Sequence, residues 1–429
     1  MRRVVLTGAG VVSPIGSGLE RFFDGLRRAA PGVDLIQSFD ASGFPTRIAG
    51  EVRDLGLDAV AVGGPEAELG RRDRKVLFGL AAAREALGQA FGGPSPCPCY
   101  RPERVGLFCA TGLEVFHLGD VVGRLRAQGI DGSLLRQQPE GSGAGPSALQ
   151  LPADLAVRVL AREAGIRGLR QVNVSACAAG TQALGEALRA IREGAADAAL
   201  AGGYDSMVNP LGLAGFCLLG ALSRSNELRG AASRPFDARR DGFVLGEGAA
   251  FFVLEELGAA RARGATVLGE LCGYASSLDA FRVSDPDPDQ VGAAQCIRRA
   301  LEDARLEPER IDYINAHGTG TRKNDPAETA AIRQVFGRHA DRLLVSSTKS
   351  QIGHLIGAAG AVELGATLLA LREGVVPATI NLESPDPACD LDFVPLVPRR
   401  AAVRLALSSS FGFGGQNAAI VIGAADEGV

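Results

Sequence analysis

Four residues carry groups that could do chemistry and stand in unusual company: Cys177, His317, His354 and Lys349. Cys177 lies in Val172 to Arg192, VNVSACAAGTQALGEALRAIR. The β-branched run Val172–Ser175 reads as a buried strand. Leu184, Leu188 and Ile191 then fall on one helical stripe, with Gly194 as a stop. A cysteine is thus predicted where a strand becomes a helix. The free N–H groups and partial positive charge there favour thiolate over thiol. Taken alone, such a cysteine is more often a small buried hydrophobe.

The histidines supply context. Ile311–Asn315 reads as a strand running into Ala316-His317-Gly318-Thr319-Gly320-Thr321. A helix is predicted next, with Asp325 as N-cap, Pro326 at its first position and Glu328 at its third. Leu343–Thr348 is a further predicted strand. It delivers Lys349, and His354 then opens a glycine-rich apolar helix. A lysine so placed suits an internal, partnered ammonium that anchors a carboxylate or tunes a histidine. Near the end, Gly412-Phe413-Gly414-Gly415 permits backbone forms closed to other residues. Its N–H groups can face a site, and Phe413 can act as a gate. A thiol nucleophile, imidazoles and free N–H donors are the parts of acyl transfer. A cysteine protease needs one histidine. Two histidines and a lysine point to a further step that develops negative charge, such as decarboxylation to an enolate.

These residues need a scaffold to bring them together. Predicted strands at residues 3–7, 106–110, 172–175, 198–202, 311–315, 343–348 and 405–411 alternate with helical patterns. That implies α/β layers with a largely parallel sheet. Helix 255–264 begins a second run of the same kind, so two halves are expected, 1–255 and 256–429. Gly8-Ala9-Gly10 lacks the third glycine of a dinucleotide fingerprint, and Pro14 interrupts the helix it would need.

The 429 residues are 46% hydrophobic and 22% charged with net charge −4, which suits a globular protein with ample core. That charge gives no support for nucleic-acid binding. Eight scattered cysteines without a targeting signal suit reduced thiols in the cytoplasm. Cys97-Pro98-Cys99 lacks a second ligand pair at metal spacing. Residues 352–371 are apolar enough to raise a membrane span, but His354 and Glu363 oppose it. Arg71, Arg72, Arg74 and Lys75 form a basic helix face, a solvated surface or a docking patch for an acidic partner.

Five motifs in order now carry a resemblance: VSACAAGTQALGEA, SRPFDARRDGFVLGEGA (233–249), INAHGTGTRKNDPAE (314–328), SSTKSQIGHLIGAAGAVE (346–363) and FGFGGQNA (411–418). Over nearly its whole length the chain resembles the β-ketoacyl-acyl-carrier-protein synthases of the dissociated kind, especially synthase II. The resemblance implies the thiolase fold: two similar α/β halves in a five-layered α-β-α-β-α body, normally a homodimer. It implies that Cys177 accepts the acyl chain, that His317 and His354 serve decarboxylation and condensation, and that Lys349 supports His354. The backbone N–H groups of Cys177 and Phe413 would form the oxyanion hole. Phe413 would gate the acyl pocket, Leu113 would limit its room, and Thr319, Thr321 and Ser284 would meet the phosphopantetheine arm. An acidic acyl carrier protein would dock, with no metal, redox cofactor or membrane insertion required. Three places depart from the pattern: Ala178-Ala179, Gln416 and the loop Arg282-Val283-Ser284-Asp285. They leave the reaction class intact and open a second pathway reading, a dedicated polyketide or polyene system. A non-catalytic partner subunit would lack Cys177. A thiolase would carry a second cysteine in the last loop, and a primer-type synthase would lack His354.

Overall fold

The computed structural model describes residues 2–65, 67–96, 99–113 and 152–425. Cys97 and the stretch 136–150, read as a loop from its Gly, Ser, Pro and Gln content, lie outside the described residues. The strands that matter form two sets of five. In the first, the spatial order is Arg170–Asn173, Val105–Ala110, Ala198–Ser206, Glu247–Glu256, Val4–Ser13. In the second it is Leu344–Ser346, Tyr313–Asn315, Leu405–Gly412, Gln416–Gly423, Gly269–Leu278. Numbered along the chain within each set, both orders read 3-2-4-5-1. The first strands of the two sets, Val4–Ser13 and Gly269–Leu278, pair antiparallel and join them into one eleven-stranded sheet.

The largely parallel sheet expected from the alternating pattern is corrected by this pairing. Strands 3, 2 and 4 of each set are parallel, whereas strands 4, 5 and 1 are antiparallel. In the second set a three-residue turn, Phe413–Gly415, links strands 4 and 5 as a hairpin, which is too short for a crossover.

Helices cover both sheet faces. Arg74–Phe91 lies on Val4–Ser13 and Glu247–Glu256, and Val291–Ala304 lies on Gly269–Leu278 and Gln416–Gly423. Between the two sets run Ala179–Arg192 and Ala359–Glu373, each touching strands of both. The result is five layers. The central helices bury Leu184, Leu188 and Ile191 on one side and everything from Ala359 to Leu371 on the other. They cross through glycines: a Cβ on Gly180 would lie 2.8 Å from the Ala361 nitrogen, and one on Gly360 would overlap the Thr181 hydroxyl. The apolar run 352–371 is therefore a core helix with its approach turn. Among the described residues no helix is long and apolar enough to cross a membrane.

Several local expectations shift. Gly8 and Gly10 lie within a long strand, where a Cβ would come 2.9 Å from the side chains of Ala90 and Glu85. They admit a helix rather than a dinucleotide. The strand before Cys177 is Arg170–Asn173, an edge strand that is exposed or half-exposed, because the third strand of the set ends the sheet. Residues 71–90 are two helices, Ala67–Arg72 and Arg74–Phe91, divided where the Asp73 side chain caps the Lys75 N–H.

Candidate active site

Cys177 sits in a single 3₁₀ turn, Ala176–Ala178, before the first central helix. Ala176 takes the left-handed conformation at φ 49°, so the chain turns sharply and presents the thiol inward. The sulfur lies 3.0 Å from His354 Nε2, and the Phe413 N–H favours its thiolate form. The lowered thiol pKa expected at a helix start is corrected: burial pushes Cys177 up to about 12, although Lys349 and the Phe413 N–H pull it down. Loss of water around the sulfur outweighs the partial charge of a helix end.

His317 follows strand Tyr313–Asn315, and the acidic residues after it do not act as predicted. The helix starts at Asn324, with Lys323 before it, rather than at an Asp325 cap. The carboxylates reach back into the loop instead. Glu328 accepts the N–H groups of His317 and Gly318 at 2.7 Å each, and the Ser409 hydroxyl at 2.9 Å. Asp325 accepts from Phe236 N–H at 2.8 Å and Gly320 N–H at 3.1 Å. Buried N–H groups need acceptors, and here two acids fix the loop that aims the imidazole.

The rings of His317 and His354 are 5.2 Å apart and nearly perpendicular. Burial, and then the nearby Lys349 charge, holds both well below the ordinary histidine range, with His354 also acting on His317. Both are neutral at pH 7. The Ile356 N–H donates to His354 Nδ1 at 3.3 Å, so the His354 proton is assigned to Nε2, facing the sulfur. The same assignment bears on metal binding. Cys177 Sγ and a ring nitrogen of each histidine lie within 4.8 Å of one another. A ligating imidazole needs a bare nitrogen and donates its other N–H, which the Ile356 N–H forbids. Lys349 is fully buried and ion-paired with Glu363 of the second central helix. Burial raises Glu363 to about 7, against the pull of Lys349.

A cavity of about 400 Å³ joins Cys177, His317, His354, Thr319, Thr321, Ser284 and Phe413. The Thr319 and Thr321 hydroxyls are 3.0 Å apart, and the Lys323–Asp285 ion pair, at 2.6 Å, stands at the mouth. Phe413 is half-buried, its ring 6.3 Å from Phe216 and 6.5 Å from Phe243. Leu113 is not part of this lining. Its side chain is 64% exposed, and its carbonyl accepts the Lys75 ammonium at 2.8 Å. The docking patch also needs correction. Lys75 is 1% exposed, and Arg74 turns inward to Glu247 at 2.6 Å. Of the four, only Arg71 is fully exposed, with Arg72 intermediate. The split follows the break at Asp73: Arg71 and Arg72 end one helix, whereas Arg74 and Lys75 open the next, which packs on the sheet.

Comparison with known proteins bears directly on this site. Residues 1–260 match the β-ketoacyl synthase N-terminal domain and residues 268–383 its C-terminal domain. The chain belongs to the β-ketoacyl synthase family. It is 41% identical over 422 residues to the 3-oxoacyl-acyl-carrier-protein synthase 2 of Synechocystis, covering 97% of this chain and 96% of that protein. It is 40% identical to the tetracenomycin polyketide synthase ketoacyl synthase alpha subunit of Streptomyces glaucescens, over 98% and 97% of the two chains. Among solved structures it resembles a complex of a type II polyketide acyl-carrier protein with its hexaketide-bound ketosynthase. That match has a TM-score of 0.83 at 33% identity and covers 99% of this chain and 100% of the other. The fold is the thiolase fold.

For a ketosynthase, four groups around this site escaped the sequence reading. Glu328 and Asp325 looked like helix-start residues. Glu363 was visible only as an acid inside an apolar run, which is itself a signal for a buried partner. Phe243, 5.3 Å from the His354 ring and edge-on, lay in the 233–249 motif with nothing local to mark it. The packing that brings it to the histidine is non-local.

Proposed function

We propose that this chain catalyses decarboxylative Claisen condensation, joining an acyl chain held on Cys177 to malonyl-acyl-carrier protein in fatty acid elongation. The observation that carries the reading is Cys177 Sγ 3.0 Å from His354 Nε2, with the His317 ring 5.2 Å from that imidazole. The Cys177 thiolate attacks the carrier thioester, and the developing oxyanion takes the N–H groups of Cys177 and Phe413. The carbonyl re-forms, and the carrier sulfur leaves as a thiolate that takes a proton from water. Malonyl-carrier protein then enters, and His317 and His354 donate hydrogen bonds to its thioester oxygen. The C–C bond to the carboxylate breaks, carbon dioxide departs, and its electron pair becomes the enolate. The enolate carbon attacks the Cys177 thioester and expels the thiolate, so the β-ketoacyl chain leaves on the carrier.

Neutral imidazoles suit this sequence, because each has a proton to donate and no charge to lose. Burial, reinforced by the Lys349 charge, holds both in that state. Thr319, Thr321 and Ser284, which line the cavity, receive the phosphopantetheine arm, and Phe413 gates entry. The repeated strand order supports two halves, 1–255 and 256–429. The chemistry calls for no metal or redox cofactor. An acidic acyl carrier protein is the partner, for which Arg71 and Arg72 remain the surface basic pair. The half-exposed edge strand Arg170–Asn173 favours a homodimer. The seven described cysteines are free thiols, as a cytoplasmic setting requires.

Near-equal identity to the fatty-acid and polyketide relatives supports a second reading, a dedicated polyketide pathway. Incubation with acyl-carrier proteins of differing chain length and unsaturation tests both. Addition of one acyl mass to the intact chain is expected, with none in Cys177→Ala. Undiminished acylation of that variant would remove Cys177 from its role.

A further inference from the structure

The turn beside His354 is built like the turn that carries Cys177. Ala176–Ala178 and Ile356–Ala358 are both single 3₁₀ turns. Each opens on a left-handed residue, Ala176 at φ 49° and Ile356 at φ 43°. Each runs directly into a central helix. In this register Gly357 stands where Cys177 stands. A side chain held in left-handed backbone costs about 1–3 kcal/mol and persists only where neighbours over-determine it, so each turn needs something to hold it.

The fourth strand of each set provides that hold by different means. In the second set the strand end brings Gly412 against the first turn, where a Cβ on it would lie 3.2 Å from the Cys177 nitrogen and 3.3 Å from the Ala178 nitrogen. In the first set the strand end brings a side chain. Asp205 is fully buried, and its Oδ2 accepts the Gly357 N–H at 2.8 Å. Its Oδ1 is buried without a hydrogen-bond partner. Any Cβ on Gly112 would overlap the carboxylate. The neighbouring N–H, that of Ile356, is the one that donates to His354 Nδ1.

We propose that Asp205 is a positioning residue for decarboxylation: its carboxylate occupies the N–H that matches the Cys177 amide and locks the 356–358 turn so that His354 presents Nε2–H to the site. The proposal rests on the reading of His354 given above. Asp205 touches neither substrate nor sulfur, and it acts through the backbone. Its charge has a second, separable effect. Together with Glu363 it disfavours the Cys177 thiolate, while Lys349 favours it. Around Asp205 itself the charged groups are Lys75 and Asp73.

Full-length parent, Asp205→Ala, Asp205→Asn and His354→Ala proteins are compared in two assays. One is carbon dioxide release from malonyl-acyl-carrier protein at pH 7.5, and the other is iodoacetamide alkylation of Cys177. Asp205→Ala is expected to lose carbon dioxide release about 10–100-fold, the cost of misplacing a reacting group, while alkylation becomes faster because a negative charge has gone. In Asp205→Asn the amide oxygen still accepts the Gly357 N–H. Carbon dioxide release is expected within about fivefold of parent, with alkylation as fast as in the alanine variant. Parallel loss of both activities in Asp205→Ala, or a loss beyond about fivefold in Asp205→Asn, overturns the proposal. If the alanine variant fails to fold, the asparagine variant decides alone by the same limit. If His354→Ala retains full carbon dioxide release, the reading of the site fails. If His354→Ala loses it and Asp205→Ala does not, only the role of Asp205 falls.

Discussion

The two halves share one strand order and one turn before one buried helix, yet they divide the chemistry unequally. The first half contributes Cys177, the proposed nucleophile. The second contributes both histidines, the Lys349–Glu363 pair and the Phe413 loop. At the position matching Cys177 the second half has Gly357, pressed so closely on Gly112 that a Cβ would come 2.5 Å from its nitrogen. At the helix position matching Glu363 the first half has Ala183, fully buried. A duplicated scaffold thus offers two equivalent helix starts. One was opened to substrate, and the other was filled and charged to hold the histidines.

The sharpest way to break this comparison is to remove the imidazoles. Replacing His317 and His354 together by alanine should lower carbon dioxide release by about 10²–10⁴-fold while leaving Cys177 open to alkylation. Undiminished release, measured with malonyl-acyl-carrier protein, would return the second half to a purely structural role. Next in size is the buried pair. Lys349→Met leaves the Glu363 carboxylate alone in the core and should cost about 3–5 kcal/mol of unfolding free energy in denaturant titration. Replacing both residues by apolar ones should recover most of it. Adding a methyl where the halves touch is a smaller insult. Gly360→Ala should cost about 1–3 kcal/mol, read as a lowered midpoint, because the Thr181 hydroxyl must give way. The gentlest test uses pH alone. With Cys177 held up near 12 by burial, the thiolate fraction is small at pH 7. It should rise about tenfold per unit through pH 10, and iodoacetamide alkylation should follow without a plateau. A plateau near pH 8 would mean that the helix start prevails over burial.

The legible part of this molecule was which residues would meet. Cys177, His317, Lys349, His354 and Phe413 were singled out by the strand-like runs and unusual loops around them, and the structure gathers all five. Helix stripes such as Leu184, Leu188 and Ile191 were equally plain, since burial follows their period. Acceptors were harder to see. Glu328 and Asp325 have the spacing of helix-start residues, and only the loop folding back over them turns their carboxylates to backbone N–H groups. Sheet direction was hidden because alternation of strands and helices is common to parallel and mixed sheets. Lys75 looked like surface charge because an isolated basic run does not tell which of its residues face the core. The register of helix Arg74–Phe91 decides that, and it is set by packing on two distant strands.

One contact has a consequence for how the enzyme accommodates its substrates. The central helices meet at Gly180 and Gly360, with only the short, hydrogen-bonded Thr181 side chain at the second, so little side-chain freedom separates the turn of Cys177 from the turn beside His354. The gap between sulfur and imidazole then behaves as a fixed length. On the proposed reading, acyl chains of different bulk are admitted by movement around the pair, with Phe413 among Phe216 and Phe243 as the proposed yielding wall, while the reacting geometry stays the same.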